Sequence, residues 1–121
     1  MATLEVAAQI LEKVRQQAEA ERRVEEKAKA WAREELGIDI EALEKVVHLL
    51  ESRYRELKAK QRSLEGALGV PLFAGEDEGE LRRQIGQIAE LSERYWAAYR
   101  ELAVALGELK RLARSEVQRT L

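Results

Sequence analysis

Apolar residues recur along this chain at helical rather than strand spacing. The clearest run is Leu43, Leu50, Leu57 and Leu64, one every seven residues, with Val47, Tyr54, Gln61 and Leu68 each four residues later. A seam sustained over four heptads predicts a long helix that packs along one face. Gln61 is its polar member and a candidate for setting register. A second seam, Leu81, Ile85, Ile88, Ser92, Tyr95, Tyr99, Leu102, Leu106, Leu109 and Ala113, runs through the carboxy-terminal third. Leu91, Ala98, Ala105 and Leu112 widen it, as expected of a helix with two neighbours. The amino-terminal third is less regular. Ala7, Ile10, Leu11 and Val14 lie at one end and Ala28, Trp31 and Leu36 at the other, around a nearly all-polar middle, "QQAEAERRVEEK", in which Val24 is the one large apolar residue and Ala18 a small one. This helix is expected to hold a neighbour at both ends and poorly between them.

The punctuation between the seams fixes the element bounds. Helix 1 is predicted over about 3–36, with Thr3 as N-cap and Gly37 as a left-handed C-cap. Asp39 is placed to cap helix 2, predicted over about 40–68. Ile38 and Leu43 have the spacing of a hydrophobic staple. Gly69 and Pro71 stop that helix, and residues 69–79 read as the one real loop. Within it, Val70, Leu72 and Phe73 are expected to fold over the end of the bundle. The acidic run Glu76-Asp77-Glu78 is expected to complement the positive end of helix 3, predicted over about 80–120. At 1.5 Å per residue the helices span roughly 50, 45 and 60 Å. The short first turn makes helices 1 and 2 antiparallel neighbours, and the second loop lets helix 3 return along helix 2. The expected fold is all-α, an elongated three-helix antiparallel bundle or coiled coil forming a single domain over 1–121.

Composition narrows the chemistry. The chain has 121 residues, 36% of them charged and 5% aromatic. The 21 basic and 23 acidic residues are interleaved and give a net charge of −2. No basic face is present to drive nucleic-acid binding, and no polybasic run adjoins an apolar one to favour a membrane surface. The absence of cysteine excludes disulfides, thiolate metal sites and a thiol nucleophile. The start "MATLEVAAQILEKV" lacks the basic and apolar blocks of a signal peptide, and no apolar run reaches the ~20 residues that span a bilayer. The expected location is therefore cytoplasmic. A single Met and no Asn fit a thermophilic source.

Candidate reactive groups are few. The one histidine, His48, lies a turn from Glu44 on the flank of its helix. The Glu-x-x-x-His spacing is not the Glu-x-x-His of helical di-iron sites, and no second histidine exists. There is no Gly-rich phosphate loop and no assignable Ser/His/Asp set. The expectation is a non-enzyme without metal or cofactor. The run "LLESRYREL" looks like AroQ-type chorismate mutase, whose bundle clamps a dicarboxylate with Arg and Lys. Arg53 matches, but Leu64 and Leu36 stand where that family has its Lys and another Arg, so the dianion would lack its charge partners.

"GIDIEALEKVVHLLESRYRELKAKQRSLEGAL" is similar to FlgN-type flagellar export chaperones, in which a Gly-Asp-like break precedes "(I/L)-E-A-L" and a Leu/Glu/Lys/Arg-rich helix. "LRRQIGQIAELSERYWAAYRELAVALGEL" resembles their final helix. The resemblance spans about 80 residues. It implies a cytosolic chaperone that binds helical carboxy-terminal segments of hook-associated proteins, helix in groove. The alternative from a different class is a coiled-coil structural or assembly subunit, phage and secretion apparatus included, with a homodimer as one form. In either case the partner is a protein, most simply an amphipathic helix. The expected contact residues are Leu109, Leu112, Val117 and Leu121, on a helix 3 overhang of roughly 16 Å beyond helix 2. Trp96 is a further candidate, as a tryptophan standing beside its seam.

Overall fold

A computed structural model describes residues 2–69 and 76–120. It is an all-α helical bundle with three long helices and no strand among the described residues. Helix α1 covers Ala2–Trp31 and runs into a π-helical turn, Ala32–Leu36. Helix α2 covers Ile40–Leu68, and α3 covers Glu76–Thr120. The α2 bounds agree with those expected. Helix α3 starts earlier, so the acidic run lies in its first turn rather than in a loop. Carboxylates are favoured there by the unpaired N–H groups of a helix start. Val70, Leu72, Phe73 and Leu121 lie outside the described residues.

The stop after α1 works as expected at Gly37. Its φ of +66° is the chain's one positive value among the described residues, a region that a Cβ disfavours. The Gly37 N–H points at the carbonyls of Ala32 and Arg33, and the Ile38 N–H donates to Ala32 O at 3.2 Å. The last turn thus widens from α to π before the chain reverses. "AREEL" has ordinary helix-forming composition, and nothing in it signals the widening. Asp39 directly precedes α2, in the N-cap position.

Two compact units share these helices. One comprises Met1–Glu41 with Gly107–Leu121, the other Ala42–Leu106. In the first, Ala28, Ala32, Ile40, Ala113 and Val117 are buried, and Lys29 Nζ meets Glu41 at 3.5 Å. Within this unit residues 1–41 are grouped with the end of α3. Small residues form most of this core, which allows close helix approach.

In the second unit α2 and the first part of α3 pair through the two seams. Tyr54 packs at a tilt against Trp96, with ring centroids 4.9 Å apart. Both rings lie several turns from the connection, so the two helices run antiparallel. Leu81, Ser92 and Leu106 are buried, and the remaining seam positions of both helices are half-buried. The flank formed by Leu91, Ala98 and Ala105 is exposed, contrary to the expected second neighbour. A pair of helices covers only the seam, and the flank needs a third. Two polar residues sit inside the seam. Ser92 has no exposed surface and donates its hydroxyl to Ala89 O at 2.9 Å. Gln61 donates Nε2 to Glu65 at 3.0 Å, while its Oε1 is buried with no partner among the described residues.

Candidate protein-binding surface

A long uncovered apolar surface lies on α1. Every residue from Ala2 to Arg23 is exposed, a stretch about 33 Å long at ~1.5 Å per residue. Leu4, Ile10, Leu11 and Val14 retain 74%, 56%, 59% and 56% of their surface. Leu4, Ala7, Leu11, Val14 and Ala18 alternate three and four residues apart, so they form one straight seam on the helix. The same spacing in α2 produces a half-buried row. Helix 1 was expected to hold a neighbour at both ends, and only its carboxy-terminal end does so. Single exposed leucines need no explanation, but a continuous apolar seam does.

The stripe expected on the end of α3 is only partly available. Val117 is 4% exposed, Ala113 is fully buried and Leu109 is half-buried, all inside the unit that α3 forms with residues 1–41. The premise that no neighbour reaches this stripe is thereby corrected. Residues 24–40 supply Val24, Ala28, Trp31, Ala32 and Ile40 to the same unit. Of the expected contact residues described there, Leu112 is the exposed one, at 48%.

Trp96 is 37% exposed. It lies between Tyr54 and Tyr99, with the latter ring 5.5 Å away, so it is part of an aromatic cluster. Beside this cluster, Tyr54, Arg55, Lys58, Gln61, Arg62 and Glu65 line an open groove on α2. Lys58 Nζ lies 5.8 Å from the Tyr54 centroid. Arg55 pairs with Glu51. The groove is open and mixes polar with apolar lining.

His48 is exposed. No three His, Asp or Glu residues gather into a metal-binding group among the described residues. Among the described residues, the clearly displaced titrations are Glu80, lowered by its hydrogen bonds from Arg83, and Arg83, raised by the same pairing. Both are exposed and make a surface ion pair at 2.6 Å. No helix among the described residues is long and apolar enough to cross a membrane. No protein-family model, curated protein or solved structure matches the chain.

Proposed function

We propose that this chain is a non-enzymatic helical protein-binding module that associates through the amino-terminal half of α1. The observation that supports this reading is the uncovered seam of Leu4, Leu11 and Val14 with Ile10 beside it. Apolar side chains spaced along one helix face favour another amphipathic helix over a small molecule, because anchors at this spacing fit a matching row. The more specific reading is a cytoplasmic export chaperone of the flagellar type, holding a helical client segment. Trp96 and Leu112 are secondary contact candidates.

Binding is tested by titrating the purified protein with labelled amphipathic peptides taken from the carboxy termini of hook-associated proteins and following fluorescence anisotropy. Saturable binding is expected, weakened at least ~10-fold (about 1.4 kcal/mol) by Leu11→Glu with Val14→Glu. Circular dichroism should stay unchanged, because both positions are solvent-exposed. Binding that ignores the double substitution would reject α1 as the surface. The second reading, a coiled-coil assembly subunit, is favoured by the heptad spacing of the same seam, which suits pairing with an identical helix.

A further inference from the structure

The exposed half of α1 carries charges that say what it fits. Between Ala2 and Arg23 there are four acidic residues, Glu5, Glu12, Glu19 and Glu21, and four basic ones, Lys13, Arg15, Arg22 and Arg23. The segment is neutral. It offers no steering to a strongly charged partner and no repulsion to its own kind. Glu5, Glu12 and Glu19 follow one another every seven residues, and Arg15 and Arg22 form a basic row between them and the apolar seam. Arg15 and Arg22 make no ion pair among the described residues, whereas Arg53, Arg82, Arg83, Arg94 and Arg119 each pair with a glutamate of their own helix.

We propose that a second copy of this chain occupies the α1 seam, antiparallel, forming a homodimeric coiled coil over about Leu4–Glu21. The proposal rests on the reading of this face as an association surface and names its occupant. In the antiparallel register Leu11 of each copy packs against Val14 of the other, and Ala7 against Ala18, where small side chains let the backbones approach; Leu4 lies opposite Glu21 at each end. Beside the seam, Glu12 faces Arg15 of the second copy and Glu5 faces Arg22, and two-fold symmetry makes each pair twice. The parallel arrangement lacks these pairs. It sets Glu21 against Glu21 and leaves Arg15 and Arg22 opposite Ile10 and Gln17. Three heptads are short for a coiled coil, and the contact lies at the small end of specific interfaces. Its dissociation constant should be on the order of micromolar or weaker.

The chain contains no cysteine, so single-cysteine variants report pairing directly. Leu11→Cys and Val14→Cys proteins are prepared separately and oxidised at ~100 µM, alone and as an equal mixture. The mixture is expected to form a disulfide between position 11 of one chain and position 14 of the other at least ~10-fold faster than either variant dimerises alone. Arg15→Glu should raise the dimer dissociation constant several-fold in sedimentation, and Glu12→Arg in the same chain should restore it. Faster cross-linking of either variant with itself would overturn the antiparallel arrangement. A wild-type protein that is monomeric by light scattering at ~1 mM would overturn the dimer. In that event saturable peptide binding lost in the Leu11→Glu, Val14→Glu protein would still uphold the association surface, so the two readings fail separately.

Discussion

The first half of α1 and the pair formed by α2 with the start of α3 are written in the same code and end in opposite states. Both carry apolar residues alternating three and four apart, and both are flanked by interleaved Glu, Lys and Arg. In the pair, the seam of each helix lies against the other, and the described seam residues from Leu43 to Leu68 are all half-buried. In α1, Leu4, Leu11 and Val14 remain mostly exposed. A heptad seam specifies that a helix needs a neighbour, but not that its own chain provides one. The α1 seam is therefore left exposed where the seams of α2 and α3 are covered.

The sharpest test of this contrast is a matched set of truncations. Leu106→Ala and Leu81→Ala should each cost about 2–5 kcal/mol in urea unfolding, because both leucines are buried. Leu11→Ala should change stability by less than about 0.5 kcal/mol in dilute solution, as at an ordinary surface position. Comparable losses at Leu11 and Leu106 would mean that α1 is packed along its whole length, and the comparison would collapse.

A smaller effect separates the two ends of α1. Gly37→Ala should cost about 1–2 kcal/mol, because φ at +66° forces a Cβ into the left-handed region. The loss comes from backbone strain rather than crowding, since a Cβ there would meet no atom within 4 Å. A Gly37→Ala protein as stable as the parent would show that the turn relaxes to another geometry.

The seam of α2 invites a change of opposite sign. Gln61 Oε1 is buried without a partner among the described residues, and an unmet acceptor costs about 1–3 kcal/mol. Gln61→Leu should therefore raise the unfolding free energy, by about 1 kcal/mol after loss of the exposed bond to Glu65. Destabilisation would mean that the amide is satisfied by water and contributes to register.

The smallest effect is electrostatic. Hydrogen bonding from Arg83 lowers the Glu80 carboxyl below its usual 4.5. A carboxylate stabilised in the folded state contributes above that usual value, and the contribution is lost as pH falls through the lowered one. Carboxyl-carbon NMR titration should place the Glu80 midpoint below 4.5, and Arg83→Gln should move it back up. An unchanged midpoint in the variant would remove Arg83 as the cause.

Much of this architecture was legible from residues alone, for reasons particular to helices. Every position assigned to the two long seams is buried or half-buried, including Ser92, which hydrophobicity would never select and only its place in the period does. Gly37 announced its left-handed turn because few other residues adopt that φ cheaply. The α2 bounds followed from Asp39, Gly69 and Pro71. These are local or periodic properties, fixed by backbone geometry and by the 3.6-residue turn.

The tertiary structure decided which seam meets which. Helix 3 was expected to project uncovered, yet Ala113 and Val117 are buried in a unit with residues 1–41, and it is α1 whose first half is left bare. The π turn at Ala32–Leu36 was equally unreadable, because α and π turns draw on the same residues and differ by one step in hydrogen-bond partner. The physical reason is common to both. Periodicity records the direction in which a helix is apolar, and that direction is nearly degenerate among possible neighbours. The choice between them depends on shape and distance across the fold, which a pattern along the chain does not encode.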